Sequence, residues 1–211
     1  MKINQDKYKF YIFDMDLTLL DAREASKLSY IKAHNAVGDK FNEFDLLHFL
    51  TIPLPASYAE IKNPTESLEV YMKVFEEETQ RTVFDFSKFY DDAIRCIKKL
   101  HNGGFKLGIV TNRSRECING MLEHCPEIKS FFDVIVSNED VKNTKPDPEP
   151  MFVALKRAGI DSKDAVYIGD AFNDYVSSTK ANVDFICVNR YGQCNFEVEN
   201  IIENLDDLII I

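Results

Sequence analysis

Apolar and polar residues follow two different patterns along the chain. Residues 10–13 form a short apolar run, and similar runs recur later in the sequence, at 105–110, 132–136, 165–168 and 184–189. Between the later runs, capping and stop residues such as Ser114 and Gly159 predict helices, and a last helix is predicted at 197–203. Such alternation is typical of parallel strands that are buried on both faces. The pattern therefore predicts an α/β fold, with a parallel sheet and helices on both of its faces.

The segment between the first and second apolar runs has a helical pattern throughout. Asn63 and Pro64, for example, are typical of a helix start, and the apolar residues that follow them make one helical face. The segment contains no convincing strand pattern. We therefore predict two domains: an α/β core formed by residues 1–20 and 87–211, and an inserted helical domain formed by residues 21–86.

Polar side chains that could take part in catalysis or in binding follow the predicted strands. They are Asp14, Asp16, Thr18, Thr111, Asn112, Lys145, Asp170 and Asp174. Because the carboxyl ends of parallel strands lie along one edge of a sheet, we expect these residues to meet in one crevice. Taken alone, aspartates that follow a strand, such as Asp14 and Asp16, more often begin a turn or cap a helix, so the functional interpretation depends on the other positions.

The chemistry of this set favours a metal and a phosphoryl group. Four carboxylates in one crevice repel one another unless a cation balances them, and hard oxygen ligands without histidine or thiol favour Mg²⁺. A phosphoryl group could then be held by Thr111, Asn112 and Lys145 and attacked by a carboxylate. Asp16 could protonate the leaving oxygen and later accept a proton from the attacking water.

Composition argues against several other classes of protein. The formal charge of −10 and the pI near 4.9 disfavour binding to nucleic acid, which needs a basic surface. The sequence shows neither a signal peptide nor an apolar stretch of membrane-spanning length, so we expect a soluble cytoplasmic protein without a membrane partner. We further expect a monomer or weak homodimer. The five cysteines are odd in number and form no Cys-x-x-Cys pair, which favours reduced, structural thiols.

These polar positions resemble a known signature. In order and spacing, Asp14-Met15-Asp16-Leu17-Thr18, Thr111-Asn112, Lys145-Pro146 and Gly169-Asp170 with Asp174 are similar to the four motifs of the haloacid dehalogenase-like (HAD) hydrolase superfamily. The helical insertion is similar to the cap of its phosphoglycolate phosphatase and β-phosphoglucomutase branch. The resemblance implies a Rossmann-like (HAD-like) core with an inserted helical cap domain. Leu17 departs from the glycine or asparagine often found there, which we expect to leave the chemistry unaffected.

The resemblance also implies a role for each motif residue. Asp14 would be the nucleophile that forms an aspartyl-phosphate, and Asp16 the general acid and base. Thr111 would bind phosphate, and Lys145 would stabilise charge. The metal ligands would be Asp14, the backbone carbonyl of Asp16, and Asp170. The remaining acidic and hydroxyl positions, Thr18 and Asp174, would support these ligands.

The sequence thus predicts a Mg²⁺-dependent phosphatase that acts on a small phosphorylated metabolite. We expect the cap to close over the site and to read the organic part of the substrate. The side chains there that are chemically able to contact a substrate also fit solvated helix faces, and none is assigned a role; they are Arg23, Lys27, Lys32, His34, Tyr58 and Lys62. Two alternatives stay open: a phosphomutase of the β-phosphoglucomutase type, and a non-catalytic phosphate-binding regulatory protein.

Overall fold

The chain divides into two compact units. The computed structural model describes residues 7–52 and 54–209. One unit comprises Met1–Leu20 and Phe89–Ile211, and the other comprises Asp21–Lys88. The two ends of the predicted core domain, residues 1–6 and 210–211, lie outside the described residues.

The core is built on a six-stranded sheet. In chain order the strands of the protein are β1 (Phe10–Phe13), β2 (Leu20–Asp21), β3 (Lys88–Phe89), β4 (Lys106–Val110), β5 (Val134–Val136), β6 (Ala165–Gly169), β7 (Asp184–Val188) and β8 (Ile201–Ile202). The core sheet has the order β5-β4-β1-β6-β7-β8, and its strands pair in parallel. β1 is therefore central, with Ile12 opposite both Gly108 and Tyr167. The predicted parallel α/β fold is confirmed.

The inserted unit is helical. Its helices are α1 (Arg23–Ala36), α2 (Leu46–Thr51), α3 (Leu54–Ala59) and α4 (Leu68–Phe86), with a 3₁₀ turn at Glu43–Asp45 before α2. Tyr30, Phe49 and Tyr71 belong to its apolar core. The predicted helix start at Asn63 is wrong. Asn63 has a left-handed φ of 55°, and α4 begins later, where the Ser67 hydroxyl accepts a hydrogen bond from Val70 N.

Helices cover the core sheet. They are α5 (Asp91–Asn102), α6 (Arg115–Glu123), α7 (Pro126–Lys129), α8 (Glu149–Ala158), α9 (Phe172–Lys180) and α10 (Asp206–Ile209). Alternate residues of each strand point to opposite faces, so that Ile12 and Tyr167 share a buried cluster with Met151 of α8. α8 ends at Gly159, whose φ of 65° lies in the left-handed region that favours glycine at helix ends.

Two expectations for the last third of the chain are wrong. The helix predicted at 197–203 is absent from that described segment, which instead contains β8. Cys187 N donates to Asn200 O at 2.9 Å, and Asn189 N donates to Ile202 O at 2.8 Å, so this segment completes the edge of the sheet. The expected reduced state also fails for one pair, because Cys187 and Cys194 form a disulfide; Cys96, Cys117 and Cys125 are free.

The chain leaves the core and returns to it at neighbouring positions. β2 and β3 form a separate two-stranded sheet at these two points. Within the core unit itself, Tyr90 N donates a hydrogen bond of 3.0 Å to Leu19 O.

Across residues 7–52 and 54–209, no helix has the length and apolar character needed to cross a membrane.

Candidate active site

The predicted site residues lie at the carboxyl edge of the core sheet. Asp14 follows β1, Thr111 follows β4, and Asp170 follows β6. Backbone hydrogen bonds extend the sheet by one residue at two of these ends: Asp14 N donates to Ile168 O at 2.8 Å, and Thr111 N donates to Val136 O at 3.1 Å. The sheet therefore fixes the backbone that carries these side chains.

Lys145 makes three hydrogen bonds with its ammonium group. Its Nζ donates to Asp14 Oδ1 and to Asp174 Oδ1, both at 2.6 Å, and to the Tyr167 hydroxyl at 2.8 Å. All four side chains are buried. Burial lowers the pKa of Lys145, but the charges of Asp14 and Asp174 outweigh this, and the net pKa is raised above its ordinary value. Lys145 therefore stays a cation inside the site.

Asn112 holds the backbone of Lys145. Its side-chain Nδ2 donates to Lys145 O, and its Oδ1 accepts from Lys145 N, each at 3.1 Å. The side-chain amide of Asn112, which was predicted to contact phosphate, is thus hydrogen-bonded to the backbone of Lys145 instead. The Thr111 hydroxyl accepts from Arg113 N at 3.3 Å and, as an acceptor there, can still donate its own proton.

Asp174 joins the end of β6 to the start of α9. It is fully buried, and its Oδ2 accepts from Asp170 N at 3.2 Å and from Ala171 N at 3.1 Å. Gly169 makes this approach possible, because a Cβ at that position would lie 2.6 Å from Asp174 Oδ2. On the other side, the Thr18 hydroxyl donates to Asp170 Oδ1 at 3.4 Å.

Three of the carboxylates could bind one metal ion. Asp14, Asp170 and Asp174 each offer an oxygen, and these atoms lie within 4.8 Å of one another. Burial raises the pKa of Asp14 to about 7, against the lowering effect of Lys145 and with a further rise from the charge of Asp174. Burial and the same neighbouring carboxylate also raise the pKa of Asp170 well above its ordinary value. A buried cluster of hard oxygen ligands with unfavourable negative charge fits a hard divalent cation.

Asp16 makes an ion pair that the sequence analysis missed. Arg113 Nε and Nη2 donate to its two carboxylate oxygens, each at 2.6 Å, and Arg113 Nη1 contacts Cys117 Sγ at 3.2 Å. The Arg113 side chain is largely buried, at 13% exposure. The one available signal was its position, since it follows Thr111 and Asn112 at the same strand end.

The inserted unit contains a cavity of its own. It has a volume of about 690 Å³, and the candidate residues Arg23 and Lys27 contribute to its lining. Both are already in ion pairs: Arg23 with Asp21 at 2.9 Å, and Lys27 with Glu24 at 2.8 Å. The lining also includes apolar side chains, among them Phe44, Leu46, Leu47 and Phe86.

Known proteins resemble this chain in sequence and in fold. Residues 11–188 match the haloacid dehalogenase-like hydrolase family. Pyrophosphatase PpaX of Bacillus velezensis is 30% identical over 207 residues, which cover 94% of this chain and 93% of PpaX. A crystal structure designated a phosphoglycolate phosphatase, from Lactobacillus plantarum, has a TM-score of 0.85 at 21% identity and covers 96% of this chain and 98% of that chain.

A second crystal structure with the same fold contains phosphate. CbbY from Rhodobacter sphaeroides, in complex with phosphate, has a TM-score of 0.79 at 16% identity, with coverage of 95% of this chain and 96% of that chain. At these identities the two crystal structures support the fold, and the sequence match carries the family. The chain belongs to the haloacid dehalogenase-like hydrolases and is a phosphatase of that family.

Proposed function

We propose that this phosphatase hydrolyses a small phosphorylated substrate through an aspartyl-phosphate on Asp14, with Mg²⁺ as its metal. The observation that carries the proposal is the buried pairing of Asp14 with Lys145 beside Asp170. The ammonium group binds Asp14 Oδ1 at 2.6 Å, which leaves Oδ2 to act as the nucleophile. A carboxylate held in this way can attack phosphorus with little loss of orientation.

In the first step, Asp14 Oδ2 forms a bond to phosphorus while the bond from phosphorus to the leaving oxygen breaks. The electron pair of that bond stays on the leaving oxygen, and Asp16 supplies a proton to it. The Thr111 hydroxyl and the main-chain N–H of Asn112 would hold phosphoryl oxygens, and Lys145 would offset their charge. The side-chain amide of Asn112 acts indirectly in this proposal, by holding Lys145 in place.

In the second step, water attacks the phosphorus of the aspartyl-phosphate. Asp16, now a carboxylate, accepts a proton from the water, the bond from phosphorus to Asp14 breaks, and inorganic phosphate is released. Splitting the reaction into two displacements lowers the barrier of each. Asp16 thus serves first as an acid and then as a base.

The metal would be held by the side chains of Asp14 and Asp170 and by the backbone carbonyl of Asp16. Bound there, Mg²⁺ would offset negative charge on the carboxylates and on the phosphoryl oxygens. We assign Asp174 a supporting role, because both of its oxygens already accept hydrogen bonds from Lys145 and from the backbone. Thr18 supports Asp170 in the same way.

The Asp16–Arg113 pair bears directly on the acid and base steps. Both carboxylate oxygens of Asp16 accept from the Arg113 guanidinium. To reach a leaving oxygen, Asp16 has to exchange at least one of these two hydrogen bonds. Arg113 is therefore placed to orient the acid and base group between the two steps.

The substrate is best sought among small phosphate esters and anhydrides. Relatives named pyrophosphatase support inorganic pyrophosphate as the first compound to test. The cavity in the inserted unit combines charged and apolar lining residues, which supports a role for that unit in reading the rest of the substrate. A phosphomutase would instead return the phosphoryl group to a sugar phosphate, and a regulatory protein would bind phosphate without turnover.

Turnover assays distinguish these functions. The protein is incubated with Mg²⁺ and a panel containing pyrophosphate, phosphoglycolate, sugar phosphates and an aryl phosphate, and released phosphate is measured. We expect steady turnover that EDTA and Asp14→Asn each abolish. Asp164→Asn is the matched control, since Asp164 pairs with Lys9 at the surface before β6. Transfer to a sugar phosphate in preference to water would favour the mutase, and no turnover across the panel would refute the enzyme proposal.

A further inference from the structure

Tyr167 brings a buried hydroxyl into the site from an otherwise apolar strand. It lies in β6, next to the central strand, and is completely buried. Burial raises the pKa of Tyr167 well above its ordinary value, so the side chain remains a neutral phenol that can both donate and accept. No motif residue of the sequence analysis occupies this position.

The hydroxyl has a partner for its proton and another for a lone pair. It donates to Val110 O, at the end of β4, over 2.8 Å, and it accepts from Lys145 Nζ over 2.8 Å. Asp174 Oδ1 lies 3.1 Å away as a second possible acceptor. A single phenol therefore links the last residue before Thr111 to the lysine that pairs with Asp14.

All three N–H groups of the Lys145 ammonium are hydrogen-bonded in this arrangement. Its ammonium group carries three N–H bonds, and the three acceptors are Asp14, Asp174 and Tyr167. The ammonium also lies 5.5 Å from the centre of the Tyr167 ring, within the range of a cation–π contact. Removing the phenol oxygen would leave one N–H without its acceptor and the Val110 carbonyl without its donor.

We propose that Tyr167 is a positioning residue that fixes the direction of the Lys145 ammonium toward Asp14. It touches neither the substrate nor the reacting atoms and acts through the lysine. The inference rests on the proposed function, in which Asp14 attacks phosphorus and Lys145 offsets the charge. A purely structural tyrosine would contribute to folding alone and would not affect the chemical step through Lys145.

Tyr167→Phe tests this proposal, because it removes the oxygen and keeps the ring. We expect kcat to fall about 10- to 100-fold with KM within about 2-fold, since a lost hydrogen bond to a charged group has an effect of that size. Tyr8→Phe is the matched control: Tyr8 is also buried, and its hydroxyl donates to Asp184 Oδ2 at 2.7 Å, at the amino edge of the sheet. The control should lose similar stability and keep its kcat.

A double-mutant cycle shows whether the effect passes through the lysine. In a Lys145→Ala background, Tyr167→Phe should reduce the residual activity less than about 2-fold, because the group that it positions is gone. The same loss in both backgrounds would overturn the proposal. So would a kcat of Tyr167→Phe within about 3-fold of the unmodified protein.

A spectroscopic measurement tests the proposal without any turnover. In protein labelled with ¹⁵N-lysine, the hydrogen-bonded Lys145 ammonium should give a slowly exchanging signal, assigned by its loss in Lys145→Arg. Tyr167→Phe should broaden or remove that signal, while Tyr8→Phe leaves it in place. An unchanged signal in Tyr167→Phe would overturn the inference, whether or not the protein turns over a phosphate substrate. Absence of turnover with the expected loss of signal would instead count against the proposed function alone.

Discussion

Arg113 binds both carboxylate oxygens of Asp16, through two hydrogen bonds of 2.6 Å each. The residue predicted to act as acid and base is therefore held by a fork of two donors, a geometry that fixes direction as well as charge. A lysine at position 113 could not reproduce this geometry, because its ammonium group has a single nitrogen. The pair connects the loop after β1 to the strand end after β4, so that the proposed proton donor and the proposed phosphate-binding residues share one support.

Replacement of Arg113 should affect substrates according to their leaving groups. For Arg113→Gln we expect kcat/KM to fall about 10- to 100-fold with an alkyl phosphate, whose leaving oxygen needs a proton, and less than about 5-fold with a nitrophenyl phosphate, which does not. Arg113→Lys should behave like the glutamine variant. The measurement is kcat/KM over a series of leaving groups.

Arg157→Gln provides the control for the loss of a guanidinium. Arg157 pairs with Asp140 at 2.7 Å on the surface of the core unit, and its replacement should leave the leaving-group series unchanged. An equal loss of activity for all leaving groups in Arg113→Gln would show that the arginine contributes through general stability or phosphate binding.

The metal-free protein should lose stability as pH rises toward neutrality. Burial raises the pKa of Asp14 from 3.8 to about 7, so the folded state holds this proton more tightly than the unfolded state does. The stabilisation is complete below the unfolded pKa and is lost as pH rises toward 7. From these two values the free energy of unfolding should fall by about 2 kcal/mol between pH 5.5 and 7.5. Asp170, whose pKa is also raised, acts in the same direction.

Thermal unfolding in EDTA measures this effect, with Asp14→Asn as the comparison. The variant should show a shallower decline, because it lacks the titrating group. Mg²⁺ should raise the melting temperature more at pH 7.5 than at pH 5.5, since the ion competes with protons for the same carboxylates. A metal-free protein that is more stable at pH 7.5 than at pH 5.5 would contradict the argument.

Gly169→Ala should damage the site by direct contact. Its Cβ would lie 2.6 Å from Asp174 Oδ2, in a fully buried place where neither the backbone nor the carboxylate can easily move. We expect a loss of more than about 2 kcal/mol of stability and of more than about 100-fold in kcat, because Asp174 holds both Lys145 and the start of α9. Chemical denaturation and turnover measure the two effects.

Gly104→Ala separates steric contact from the general cost of losing a glycine. Gly104 has a left-handed φ of 80° and open space around its position. Its replacement should cost about 1 kcal/mol through backbone strain and leave kcat unchanged. Equal activity of the Gly104 and Gly169 variants would contradict the role given to the Asp174 contact.

Sequence reasoning recovered the parallel sheet because its strands are continuous apolar runs that end in polar residues. It missed Tyr167 for the same reason: inside such a run, a tyrosine has the pattern of a packing residue, and only the fold reveals the partners of its hydroxyl. The spacing of apolar and polar residues around Arg113 gave no indication that its side chain would pair with Asp16. Asn112 was predicted to contact phosphate, but its side chain hydrogen-bonds the backbone of Lys145, and that contact depends on loop geometry that spacing does not encode.

The errors near the end of the chain have a tertiary cause. Residues 197–203 mix charged and branched residues in a pattern compatible with a helix, yet β7 leaves backbone groups to be paired at the sheet edge. Cys187 and Asn189 take partners from this segment, and a two-residue strand forms instead. Satisfying buried backbone groups outweighs a weak local preference. The pairing of Cys187 with Cys194 also requires the fold, because the two residues are seven positions apart without a recognisable motif.

The hydrogen bond between Leu19 and Tyr90 closes the core backbone at the point where the inserted segment begins and ends. The core backbone is already joined across the insertion point, so the ends that an insertion must bridge are held together by the core itself. Closing a loop between fixed, adjacent ends costs entropy that grows only slowly with its length. Segments of very different length can therefore be accommodated at this point without disturbing the core sheet.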